Sequence, residues 1–162
     1  MTTTINASTS SGLVVTPDNS GNILLQYNGQ SAPVFAAYQN AQTSLSAGVV
    51  TKINFQLSLY DTNNNYSTST SRFTPTVPGY YFINAGVSFN NSCSSQGAIY
   101  KSGNAFLWTS YPQLGNGFVI SGIVQMNGTT DYIEINGYSS VSNQTQTGVT
   151  NSQFQGYLIR GA

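Results

Sequence analysis

The chain has 162 residues and a formal net charge of zero, and only 5% of it is Asp, Glu, Lys or Arg, against about 25% in ordinary globular proteins. Ser, Thr, Asn and Gln fill the gap, so the surface is hydrated by neutral groups and no self-repulsion keeps copies apart. The scattered cations Lys52, Arg72, Lys101 and Arg160 cannot form the basic stripe that a phosphate backbone needs, and the lack of histidine excludes Ser-His-Asp and Cys-His catalysis.

In chain order, two parts are visible. Residues 1–32 form a Thr/Ser/Asn-rich arm with two short apolar runs, one holding Leu13, Val14 and Val15 and the other Ile23, Leu24 and Leu25. Pro17-Asp18-Asn19-Ser20-Gly21-Asn22 separates them, a pattern of a β-hairpin or two arm strands. Such a hairpin is marginal in water, which implies that the arm packs on a partner. The opening lacks the basic and continuous apolar regions of a secretory signal, and no run approaches the roughly 20 apolar residues of a membrane span. No membrane partner is expected.

Residues 33–162 show strands and turns with no helical period. From Lys52 to Tyr60 the pattern predicts a strand with Ile53, Phe55, Leu57 and Leu59 on one face, broken by the Asp61-Thr62-Asn63-Asn64-Asn65 turn. After the Pro78-Gly79 corner, Tyr81, Ile83, Ala85, Val87 and Phe89 recur at every second position. Tyr80 and Phe82 make the opposite face apolar too, so the strand needs cover on both sides. The segment Asn90 to Ser95 reads as a polar turn holding an incidental thiol, Cys93, whose solitude rules out an intrachain disulfide. Further strands are predicted at Ala98 to Lys101, Phe118 to Met126, Tyr132 to Tyr138 and Phe154 to Arg160. In the second of these, Phe118, Ile120, Val124 and Met126 share one face and Val119 and Ile123 the other. Many short strands separated by Gly and Asn turns indicate an all-β sandwich.

Chemistry would have to rest on carboxylates. Asp131 and Glu134 are close in sequence, but an i, i+3 pair on a strand points to opposite faces and makes no acid/base dyad. Asp61 stands among asparagines and Asp131 alone in its loop, too few oxygens for a hard cation. No catalytic residue, metal or cofactor is expected. Trp108, with Tyr111 and Tyr138 as flanks, is a candidate aromatic platform for a sugar ring, and core packing at a strand end is its plainer role. The five Asn-x-Ser/Thr triplets follow from composition and carry no weight.

The order of these features is specific. The series Phe55, Asn65-Tyr66, Arg72-Phe73, Pro78-Gly79-Tyr80-Tyr81 resembles the signature of the complement component 1q globular-head domain, a relative of tumour necrosis factor. The likeness continues through Ala98-Ile99-Tyr100-Lys101-Ser102-Gly103-Asn104, Ser121 to Met126 and Phe154-Gln155-Gly156-Tyr157-Leu158-Ile159. Ile83 and Ser102 depart from the pattern, and no collagen repeat precedes it, which sets immune-type biology aside. The resemblance implies a ten-stranded jelly-roll sandwich that assembles as a homotrimer. It also implies aromatic residues at the threefold seam, for which Tyr81, Phe154 and Tyr157 are the candidates.

The segment from Thr4-Ile5-Asn6 to Pro17-Asp18 resembles the openings of structural proteins of tailed bacteriophages. That resemblance implies a non-enzymatic virion protein, made in the host cytoplasm, with Ile5, Leu13, Val14, Val15, Ile23, Leu24 and Leu25 anchoring the arm. The expected function is a trimeric capsid decoration (cement) protein clamped to the major capsid protein or another virion protein. The alternative is a tail-fibre or adhesin tip that binds host surface glycans.

Overall fold

The computed structural model describes residues 26–27, 30–109 and 113–162, which form strands and turns without a helix. The arm's apolar runs lie outside the described residues. Strands β1 (Gln26–Tyr27) and β2 (Gln30–Ser31) pair as a short antiparallel ladder leading into the body. There follow β3 (Val34–Tyr38), β4 (Ser44–Leu45), β5 (Thr51–Lys52), β6 (Leu57–Asp61), β7 (Tyr66–Ser67) and β8 (Arg72–Phe73). Beyond the Pro78-Gly79 corner come β9 (Gly79–Lys101), β10 (Asn104–Trp108), β11 (Gln113–Met126), β12 (Ile133–Ser139), β13 (Asn143–Gln144) and β14 (Ser152–Gly161).

The 23 residues of β9 organise the molecule. Fully extended they would reach about 75 Å at roughly 3.3 Å per residue, far beyond a domain of this length. The strand therefore bends and serves two layers. Its first half pairs with β14 and β11 and its second half with β12 and β10. The first layer runs β6-β3-β14-β9-β11; the second runs β10-β9-β12-β8-β7, with β5 beside β12.

The bend lies where the β11 partner jumps from Ser88, opposite Gly117, to Cys93, opposite Gly115. Asn143 braces it, its Nδ2 donating to the Asn91 carbonyl at 2.8 Å and its Oδ1 accepting from the Asn91 N–H at 3.1 Å. The predicted polar turn at Asn90 to Ser95 is thus continuous strand. Cys93 is buried in it because alternation from the corner points its thiol inward.

Between the layers an aromatic stack fills the core. Phe35 on β3 lies face to face with Phe73 on β8 at 4.2 Å and edge-on to Phe154 on β14 at 4.9 Å, tying the layers together. Two buried tyrosines keep their hydroxyls bonded. Tyr66 donates to the Phe55 carbonyl and Tyr81 to the Val77 carbonyl, each at 2.7 Å, and burial raises the pKa of both phenols. Phe118 on β11 reaches across to β9 and β12, where a Cβ at Gly97 or Gly137 would collide with its ring. Glycine there lets the ring seat against the backbone.

One strand prediction fails instructively. Ile53 and Phe55 are buried, yet Leu57 and Leu59 are exposed, and regular strand begins only at Leu57. The chain between Lys52 and Leu57 passes from the second layer to the first, so the alternation cannot run through it. Crossing between layers overrides a period that is only locally consistent.

Candidate self-association face

Alternation fixes what the first layer shows on its outward side. In β9 the residues Tyr81, Ile83, Ala85 and Val87 point into the core, so Tyr80, Phe82, Asn84 and Gly86 point out. In β11 Phe118, Ile120, Val124 and Met126 are buried as expected, and Val119 and Ile123 are exposed. The register brings these outward positions into rows. Ile123 lies opposite Phe82, Phe82 opposite Tyr157 on β14, and Tyr157 opposite Val34 on β3. A row of four apolar side chains thus crosses four strands.

This row is open. Ile123 is 58% and Tyr157 50% exposed, and the Phe82 and Tyr157 rings meet at 5.5 Å in a tilted pair. Tyr60 on the edge strand β6 adds a further exposed ring, and a cavity of about 150 Å³ lies among Val34, Tyr60, Phe82 and Tyr157. The parallel row of Tyr38, Gln153, Gly86 and Val119 ends in a valine that is 71% exposed. Between the two, Gln155 donates to Asn84 at 3.3 Å and Asn84 to the Ile120 carbonyl at 3.4 Å, so the polar groups of the face are bonded to the sheet itself. The two rows carry no charge; Arg160 lies at the margin of the face, opposite Tyr80 with its guanidinium 5.7 Å from that ring. Isolated surface apolar residues are ordinary, but a contiguous uncharged patch marks a contact surface.

Two of the three residues predicted for the threefold seam are elsewhere. Tyr81 and Phe154 have no exposure and are packed inside the single-chain core, so their side chains have nothing to offer a neighbour. Tyr157 alone faces out. An odd offset separates Phe154 from Tyr157, and on a continuous strand such residues take opposite sides. The other apolar residues of this face are Val34, Tyr60, Tyr80, Phe82, Val119 and Ile123. The apolar second set in β9 and β11 carries the signal for four of them; Val34 and Tyr60 had none, because their partner strands are fixed by the long-range fold.

The carboxylates are engaged structurally. Glu134 on β12 accepts from Lys52 Nζ at 2.8 Å and Arg72 Nε at 2.9 Å. Burial by itself would raise its pKa, but the hydrogen bonds and charges of the two cations hold it below the ordinary value. The bond from Glu134 in turn raises the pKa of Arg72, whose guanidinium lies 4.0 Å from the centre of the Tyr132 ring. Asp131 is shaped the same way: burial pushes it up, and Lys101 at 2.9 Å with the Asn127 N–H outweighs that. Asp61 accepts from the Tyr66 N–H at 2.7 Å and so holds the following turn. Asp131 and Glu134 thus belong to separate ion pairs. Asp18 lies outside the described residues.

Of the candidate sugar platform, Trp108 stands at the end of β10 and is 37% exposed. Tyr138 is two strands away on β12, and Tyr111 falls outside the described residues, as do Ile5, Leu13, Val14, Val15, Ile23, Leu24 and Leu25. Along the open side between β10 and β11 runs a groove of about 940 Å³, lined by Leu107, Trp108, Thr109, Asn116 and Val119 among others and by no titratable side chain.

The two-layered all-β arrangement is that of the jelly roll shared by complement 1q globular domains and tumour-necrosis-factor-type proteins. The globular domain of the zebrafish complement 1qA protein superposes with a TM-score of 0.58 at 18% identity, over 80% of this chain and 99% of that one. Murine APRIL at pH 8.5 gives 0.62 at 12% identity, over 80% and 100% of the two chains. Eiger TNF from S. frugiperda gives 0.57 at 8%, over 81% and 93%. These likenesses show the fold alone. No family model and no curated protein matches the sequence.

Proposed function

We propose that the protein is a non-enzymatic structural protein that assembles as a homotrimer through the outward face of its first layer. The observation that carries this reading is the uncovered row Val34, Tyr157, Phe82 and Ile123, uncharged and continuous across four strands. Leaving such a surface wet forfeits about 25 cal/mol for each Å² of apolar area that a neighbour would cover. A net charge of zero removes long-range repulsion between copies. In a closed threefold ring the interface is heterologous, so this face packs against a different surface of the next subunit.

Within that class, the protein is a bacteriophage capsid decoration protein, its jelly roll projecting from the head and residues 1–32 clamping the major capsid protein. The sequence of the arm supports this part, since its apolar runs are too short to form a core alone. The test has two readings. Light scattering at micromolar concentration is expected to give three times the 17.3 kDa chain mass; a clean monomer refutes the trimer. Deleting residues 1–30 is expected to abolish binding to bare phage heads and to leave a folded trimer; a truncated form that still coats heads refutes the clamp. Present at few copies per virion and bound to cells through the jelly roll alone, the protein would instead be the adhesin tip.

A further inference from the structure

The second layer also has an outward face, and it differs in kind. Alternation along β9 sends Gly97 and Ile99 into the core, so Gln96, Ala98 and Tyr100 face out. Ala98 is opposite Trp108 on one side and Asn136 on the other, and Tyr138 is opposite Gln96. Ala98 thus sits at the centre of a small grid with Trp108, Asn136, Tyr100, Gln96 and Tyr138 around it. It has no exposure although it is small and faces outward, so the surrounding side chains close over it. Trp108 and Tyr100 meet edge to face at 6.3 Å, which leaves more than a third of the tryptophan open.

Asn136 is the unexplained member. It is only 7% exposed, and its Nδ2 is buried without a hydrogen-bond partner among the described residues. An unpaired buried amide is destabilising, and an apolar residue of similar volume at that register would avoid the cost. Its cross-strand neighbours are Ala98 on β9 and Lys52 on β5. The nearest charges, Glu134 with Lys52 and Arg72, are closed on one another. The surface therefore offers rings and amides beside a cluster in which two cations share one carboxylate.

We propose that this patch binds an uncharged sugar: the ring stacks its C–H face on Trp108 beside Tyr100 and Tyr138, and a hydroxyl accepts the idle Asn136 N–H as that amide turns outward. Sugars present this combination of an apolar face and neutral hydroxyls. A phosphorylated or sialylated ligand would have to compete with Glu134 for Lys52 and Arg72. Trp108 belongs to the second layer but shares a groove with Val119 at the margin of the proposed trimer face, so binding is measured on the assembled protein.

Trp108 is the only tryptophan in the chain, so excitation at its absorption edge reads this site alone. The experiment applies the full-length protein to a printed array of neutral and acidic oligosaccharides, then titrates the best neutral binder while tryptophan emission is followed. The expected result is a saturable change in emission, lost in Asn136→Leu by roughly tenfold in affinity and lowered severalfold in Tyr138→Ala. Array binding is expected to disappear in Trp108→Ala and persist in Ile123→Asp, and circular dichroism identifies any variant that is not folded. Trp108→Phe, which keeps a ring, is expected to retain part of the binding and serves if the alanine variant does not fold. No binding of any neutral oligosaccharide at millimolar concentration overturns the proposal, as does a preference for acidic sugars or undiminished binding by folded Asn136→Leu.

Discussion

The outward faces of the two layers are built by the same alternation and do opposite things with it. On the first layer, β9 and β11 place Tyr80, Phe82, Val119 and Ile123 outward, and the one charge beside them is Arg160, whose guanidinium lies 5.7 Å from the Tyr80 ring centre. On the second, β12 and its neighbours place Glu134, Lys52 and Arg72 outward in a closed cluster, with Lys101 and Asp131 paired nearby. Every ion pair among the described residues thus belongs to the second layer or its turns. In a chain that is only 5% charged, such segregation supports the proposal that the first layer's face is the one covered by protein. Apolar content by itself would not have separated them, since the second layer also shows Trp108, Tyr100 and Tyr138.

The largest effect is expected from a charge on the first face. Ile123→Asp should raise the dissociation constant of the assembly by at least a hundredfold in sedimentation at graded concentrations. The same variant should change single-chain unfolding by less than about 0.5 kcal/mol, as surface substitutions do. If Ile123→Asp unfolds the chain instead, Ile123 belongs to the core and the comparison between faces collapses. Phe154→Ala provides the opposite pattern. It removes a ring that contacts Phe35, Phe55 and Tyr66, and should cost about 3 to 5 kcal/mol in denaturant unfolding. A mild loss there with dissociation of the assembly would return Phe154 to the seam.

Glu134→Gln sharpens the second face. The carboxylate is nearly buried, but both of its cations remain partly exposed and can be hydrated. The expected loss is therefore modest, about 1 to 2 kcal/mol, less than for a fully buried pair. Oligomer mass should not change.

How much of this was legible follows from the range of each signal. The inward set of β9 and the two faces of β11 are local patterns of period two, and the structure keeps each of them. The ordered motifs from Phe55 to Ile159 likewise gave the jelly roll. What the sequence could not show was phase relative to a bend or a crossing. Cys93 looked like part of a turn because the β9 corner is polar, and Leu57 looked buried because the passage between layers breaks no local rule. The sides of β14 were legible too: the odd spacing of Phe154 and Tyr157 already puts one in the core and the other outward. Asn136 gave no warning at all, since an idle amide is a property of its surroundings.

The smallest effect is a pH dependence, and its sign follows from the carboxylates of the second layer. Asp131 and Glu134 both have folded pKa values below their ordinary ones, because Lys101 and the Lys52 and Arg72 pair outweigh burial. A group with a depressed folded pKa binds its proton more readily when unfolded, so folding gains stability at pH above the ordinary carboxylate range of about 4. That gain is lost as pH falls through the lower folded values. The midpoint of denaturant unfolding should hence be flat from pH 7 to about 5 and fall below about 4. With no histidine, the chain has no imidazole to titrate between these limits. The first face carries no carboxylate, so the dissociation constant of folded subunits should stay constant over the same interval. Dissociation that sets in while the fold is still intact would show that an acid outside the first face, such as Asp61 at the end of β6, takes part in the contact.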